Sequence, residues 1–409
     1  MPASPVRYQA HIPSAVQHDA HSLILTVAGL GGLAVAQSEP PGVSSPVAKT
    51  CGPTTANIVC IDRYASVLPY HFFRKSSVNE TSFGQTSVPN DTSFGLVGEA
   101  DFLVFDEKRA LRALGSAPTY DFIFNVPALN KLFISQLAPP PGYLPQLVVD
   151  LNQDPPTLSE YLSDPPVYAP NGGTFYNCLI YWGASGGKNS IGGTEQRSGI
   201  RTLDPLTNKT VTRLNNYFGY YSNTVDDLVV DSTGAVWFTD PNYSWYNRLT
   251  DIAPQLKPAS YRFDPKTGAV TMIDDSIAQP NGIALSPNGA HLYIPDTGAV
   301  AGMNQQDSPP GSPFNQTGPR AIYKFDLVDG GTHIANKRPV WYAQNWVSDG
   351  LKGVDVLDEY GVLIVRVQTD YVVQNFAWVG DDLTEFWMMG NNGISRVRWA
   401  LQGQDLAAI

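Results

Sequence analysis

Apolar and polar positions alternate along this chain in short runs, and most runs stop at a turn rich in Gly, Pro, Asn or Asp. The clearest unit runs from Pro280 to Thr297: an Asn-Gly lead-in, Ile283 to Leu285, the turn Ser286-Pro287-Asn288-Gly289, then Leu292 to Ile294. Proline presets φ at the second turn position, and Asn-Gly supplies the positive φ of a tight hairpin. Val225 to Asp240 repeats the unit around Asp-Ser-Thr-Gly. A second hairpin type alternates with the first: Ile200 to Leu203 with Val211 to Leu214, Tyr261 to Phe263 with Val270 to Ile273, and Ile322 to Asp326 with Val340 to Tyr342. One pair of hairpins recurs roughly every 50–65 residues, a period that predicts an all-β repeat of four-stranded propeller blades.

Other short runs predict single strands at 102–105, 122–124, 131–134, 146–151, 176–182, 376–378, 386–388 and 394–399. One short helix is expected over 107–114. Residues 37–60 are Ser/Pro-rich and read as an extended lead-in. The chain therefore divides into a leader (1–36), an N-terminal extension (37–95) and a β-propeller domain (96–409).

Composition changes this picture in two places. Among 409 residues the net charge is −11, which argues against nucleic acid and anionic membranes as partners. Leu23 to Ala36 is a short apolar run ending Ala-Val-Ala, the pattern of a secretory signal and too short for a membrane span. The expected location is the secretory pathway or outside the cell. Asn-x-Ser/Thr glycosylation acceptors at Asn79, Asn90, Asn208, Asn242 and Asn315 agree with that route. So does a disulfide between Cys51 and Cys60, with Cys178 left over.

Four ordered stretches resemble a known family. They are Asn-Thr-Val-Asp-Asp-Leu-Val-Val (223–230), Trp-Phe-Thr-Asp-Pro (237–241), Pro-Asn-Gly-Ile-Ala-Leu-Ser-Pro-Asn-Gly (280–289) and Ser-Asp-Gly-Leu-Lys (348–352). The resemblance is to the gluconolactonase/senescence-marker-protein family, most of all its fungal lactonohydrolase branch, and spans about residues 100–399. It implies a six-bladed β-propeller, one divalent cation (usually calcium) in the central channel, and hydrolysis of a small lactone to its hydroxy acid. Carried over by position, Asn281 and Asp349 match metal ligands, and Asp226 falls where many members place an Asn that touches metal or substrate. Asp226 is then an added ligand or the base, which makes Asp226 and Asp349 the candidate catalytic carboxylates. Asn223, on the same lead-in, is the candidate substrate-binding residue. Asp227 should point away, by strand alternation, into structural hydrogen bonds.

Two departures from the family pattern stand out. No Glu precedes Val126-Pro127-Ala128-Leu129-Asn130, where the family carries its first ligand; either Asp121 replaces it or the strand bearing it is missing. After Lys352 the chain passes directly to Gly353-Val354-Asp355-Val356, which reads as the next strand along. Two blades are therefore expected to be incomplete. A metal-independent cyclase of hetero-Diels–Alderase type, and a non-catalytic binding propeller, are the alternative readings on the same fold. Gly183-Ala184-Ser185-Gly186-Gly187 fits the G-x-S-x-G pattern of serine hydrolases, but no helix is expected after it, as a nucleophile elbow requires.

Overall fold

The computed structural model describes residues 22–25, 48–49, 58–61 and 101–104 and, with breaks, 129–403; the longest breaks are 136–145, 301–314 and 344–352. The predicted segments 107–114 and 122–124 lie outside the described residues.

In chain order the first strands are β1 (Ser22–Leu25), β2 (Ala48–Lys49), β3 (Ile58–Ile61), β4 (Asp101–Val104), β5 (Lys131–Ile134), β6 (Gln146–Asp150), β7 (Thr157–Tyr161), β8 (Pro170–Tyr176) and β9 (Leu179–Ala184). Next come β10 (Ser190–Ile191), β11 (Thr194–Glu195), β12 (Gly199–Asp204), β13 (Lys209–Leu214), β14 (Asn216–Tyr217), β15 (Tyr220–Tyr221), β16 (Leu228–Val230) and β17 (Val236–Asp240). A four-residue helix, α1 (Tyr243–Tyr246), precedes β18 (Ala259–Asp264), β19 (Ala269–Asp274), β20 (Ala284–Leu285), β21 (His291–Pro295), β22 (Ala321–Val328) and β23 (His333–Tyr342). The last strands are β24 (Gly353–Asp358), β25 (Leu363–Gln368), β26 (Val373–Val379), β27 (Glu385–Gly390) and β28 (Gly393–Arg398).

The architecture is all-β. Three four-stranded sheets have the orders β8-β9-β12-β13, β16-β17-β18-β19 and β20-β21-β22-β23. Each is the antiparallel meander expected of a propeller blade, and each joins one hairpin of either type. The first strands of the three sheets are neighbours, with β16 packed against both β8 and β20. Two further sheets are three-stranded among the described residues, β5-β6-β7 and β26-β27-β28. The remaining large sheet runs β1-β24-β25-β4-β3-β2, with β3 and β4 the parallel pair.

Asp residues at strand ends shape the turns. Asp231 Oδ1 accepts the N–H groups of Thr233 and Ala235, and its Oδ2 accepts the Trp237 indole N–H at 2.9 Å. Asp204, Asp264 and Asp358 each accept the N–H two residues on in the same way. These are Asx turns, which fix register where a hairpin reverses. Behind them, Trp237 is fully enclosed and Phe238 stacks on Tyr261 at 5.3 Å. Enclosing one such aromatic side chain contributes roughly 2–3 kcal/mol by area.

The strand predicted over 176–182 divides in two. Asn177 and Cys178 both adopt positive φ, 47° and 63°, and form the two-residue turn between β8 and β9. Gly172 and Gly173 lie inside β8. Among the described residues β5 pairs with β6, and β6 with β7; the segment before Leu129, where the first strand is expected to be missing, lies outside the described residues. In the β24 sheet, the edge that an absent neighbour would leave open is occupied by Ser22–Leu25, in the register Ser22 to Asp358 through Leu25 to Asp355.

Candidate active site

In two of the three four-stranded sheets, those of β16 and β20, a polar segment leads into the first strand and a buried carboxylate fastens that segment. Asp240, at the end of β17, accepts the Thr224 N–H at 2.6 Å on Oδ1 and the Asn223 N–H at 3.1 Å on Oδ2. Asp296, just after β21, repeats the arrangement on Ala278, Gln279 and Gly298 at 2.9–3.1 Å. Short lead-ins cannot make full ladders, so a carboxylate that accepts two or three N–H groups satisfies donors that would otherwise be buried unpaired.

The lead-ins are also joined to one another. Asp226 is buried, and its Oδ1 accepts the side-chain N–H of Asn171 from the start of β8. Gly172 donates its N–H to the Asp226 carbonyl at 2.7 Å. Asp227 turns away from Asp226, its Oδ1 accepting the Leu228 N–H at 2.9 Å and its Oδ2 the Ile283 N–H at 3.0 Å across the sheet boundary. The structural role expected for Asp227 is therefore the one it has. Thr239 completes the seam, its Oγ1 donating to the Asn281 carbonyl.

Asp226 and Asn281 thus stand on adjacent lead-ins, at the starts of neighbouring first strands. Asp349 lies outside the described residues. Asn171 was not singled out in the sequence, although Pro170-Asn171-Gly172 repeats Pro280-Asn281-Gly282 letter for letter. Carboxylate and amide oxygens are the ligands calcium takes, so Asp226, Asn171 and Asn281 fit that ion by donor type. Among the described residues no three His, Cys, Asp or Glu side chains cluster as a metal site.

Asn223 lies beside this seam, at the wall of a cleft with Arg197, Tyr221 and Trp245. Its side-chain N–H donates to the Leu256 carbonyl at 3.0 Å, while its Oδ1 is buried with no hydrogen-bond partner. Ser185 of the G-x-S-x-G run is buried, and β10 follows it rather than a helix. Of the expected glycosylation sites, Asn315 is exposed, Asn208 holds the Leu162 carbonyl at 3.0 Å, and Asn242 has its Oδ1 enclosed. Asn79, Asn90 and Cys51 lie outside the described residues; Cys60 is in β3, and Cys178 is a free, exposed thiol. No described helix is long and apolar enough to cross a membrane.

Burial pushes the Asp227 carboxyl up to about 6 and the Asp240 carboxyl up to about 7, against the opposing pull of the N–H groups they accept. Both values lie above the unfolded carboxyl value, so between about pH 4 and pH 7 the folded chain binds more protons than the unfolded one. Stability should therefore fall as pH rises through that window. Urea midpoints taken from pH 5 to pH 8 should decline, and Asp240→Asn should flatten the decline. A slope unaltered by that variant would reassign the titration to other groups.

The SMP-30/Gluconolactonase/LRE-like region description matches residues 193–392. Lactonohydrolase oryL of Aspergillus oryzae is 39% identical over 399 residues, which cover 90% of this chain and 91% of that protein. Lactonohydrolase oryH of the same fungus is 34% identical over 447 residues, covering 89% and 95%. Among solved structures, a gluconolactonase from Xanthomonas campestris superposes with a TM-score of 0.55 at 19% identity, over 77% of this chain and 97% of that one. That last likeness concerns the fold.

Proposed function

The chain belongs to the SMP-30/gluconolactonase/LRE-like family of lactone hydrolases, and from that premise we propose that it opens the ester ring of a small lactone to a hydroxy acid on a six-bladed propeller. The observation that carries the site assignment is the Asp226 carboxylate, buried at a sheet boundary and oriented by the Asn171 amide of the neighbouring sheet. A carboxylate held this way is suited to take the proton of a water as its oxygen attacks the lactone carbonyl. The carbonyl carbon to ring-oxygen bond then breaks, and the proton passes to the released alkoxide. Asp226, Asn281 and Asn171, with Asp349, are the residues that would hold calcium. The bound ion supplies Lewis-acid polarisation of the carbonyl. Asn223 would contact the substrate from the adjoining cleft.

The surroundings belong to the same reading. The exposed acceptor Asn315 supports passage through the secretory pathway. Two relatives from a fungus, with the branch resemblance of the motifs, support a place in fungal secondary metabolism.

The test is acid release at constant pH from a lactone panel, with D-glucono-δ-lactone and δ-valerolactone as the first members. Turnover is expected, with loss on adding EGTA and recovery on restoring calcium. Silence across the panel with calcium present would overturn ring opening; turnover indifferent to EGTA would overturn the metal assignment alone.

A further inference from the structure

The apolar run at 23–36 reads as a secretory signal, yet its first residues are built into a sheet. Ser22–Leu25 form β1, antiparallel to β24, with Leu23 opposite Leu357 and Ile24 opposite Val356. A signal peptide is discarded together with its apolar run. The same residues cannot be both cut away and paired in the finished protein.

The sheet shows what their loss would do. β25 takes one edge of β24 and β1 takes the other, so both rows of its backbone donors and acceptors have a neighbour. Val354 and Val356 are fully enclosed, and Asp355 is 2% exposed. Taking β1 away would strip one row of partners from a strand at the centre of this packing, and unpaired N–H and C=O groups in such a place are costly.

This is also where the sequence leaves a strand out. After Lys352 the chain passes directly to β24, without the strand that the family pattern sets between them. β1 stands against that open edge, brought there from the far end of the chain. We propose that Ser22–Leu25 are a permanent strand of the finished protein, standing in for the missing one, and that the chain is not cut after Ala36. The strand bears on the site as well: β24 begins four residues after Asp349, so the edge that β1 closes belongs to the strand directly following that position. The case for export then rests on Asn315 without the apolar run. None of this depends on which reaction the protein performs.

Two measurements test it. The full reading frame is expressed in a filamentous fungus, and the intact mass of the purified protein is taken after glycan removal. That mass should include Ser22–Leu25; a chain starting at Gln37 overturns the proposal. The second measurement uses Leu23→Pro and Ile24→Pro in the full chain. Neighbouring N–H groups in a strand point to opposite sides, so one of the two prolines has to remove a bond to β24. At least one should lower the urea midpoint and speed amide exchange within Gly353–Asp358 about tenfold. Ile24→Val leaves the backbone as it is and should match the parent chain. Two prolines that move neither the midpoint nor the exchange overturn the strand, whatever the mass shows.

Discussion

Asp226→Asn should lower lactone turnover by about 100-fold or more while the chain remains folded. The substituted side chain has the same shape and keeps an oxygen for the Asn171 amide N–H, so the contact between the two sheets survives. What disappears is the negative charge and, with it, any capacity to take a proton or attract a cation. The prediction holds whether Asp226 acts as base or as ligand, and calcium dependence separates the two. A lost ligand is partly restored by raising the ion concentration, whereas a lost base is not. Circular dichroism would confirm folding and pH-stat assay would give the rate. Undiminished turnover would move the chemistry to Asp349 or elsewhere.

Gly172→Ala should break the seam beside Asp226 with a single methyl group. A Cβ there would sit 2.1 Å from Asp227 Oδ1, 2.7 Å from Asp227 Cα and 2.8 Å from the Asp226 carbonyl oxygen. Two of those three atoms are main chain, so rotating a side chain cannot make room. The lead-in has to move, and the 2.7 Å bond from the Gly172 N–H to Asp226 goes with it. Overpacking of this kind costs on the order of 3 kcal/mol. Here it also displaces the proposed catalytic carboxylate, so activity should fall further than stability alone explains. Gly282→Ala is the control: its Cβ would meet nothing nearer than Asp227 Oδ2 at 3.6 Å. Urea unfolding of both variants checks the comparison, and equal midpoints would refute it.

Much of this arrangement was legible in the sequence, for a local reason. Period-two alternation bounded by Asx turns requires only neighbouring residues, so β12/β13, β16/β17 and β18/β19 could be read directly. The side of Asp227 also followed from alternation. What was not legible depended on distant parts of the chain. Two glycines within a strand have no local reason in the sequence until Asp226 and Asp227 are known to press against Gly172, and Trp182 and the Tyr181 carbonyl against Gly173. Asn171 went unnoticed behind those glycines. The roles of Asp240 and Asp296 were hidden because the lead-in N–H groups they accept lie 16 to 18 residues earlier in the chain. Their equivalent positions, each closing the second strand of a repeat, were the available signal.

The seam of Asn171 on Asp226, Asp227 on Ile283 and Thr239 on Asn281 has a consequence for how this protein can be taken apart. Every bond in it joins one repeat to the next, so no repeat owns its share of the site. Domains of this kind cannot be shuffled one unit at a time without breaking two junctions at once. The outer reversal at Asp329–Thr332 takes no part in the seam, and there the chain can be cut or extended without disturbing it.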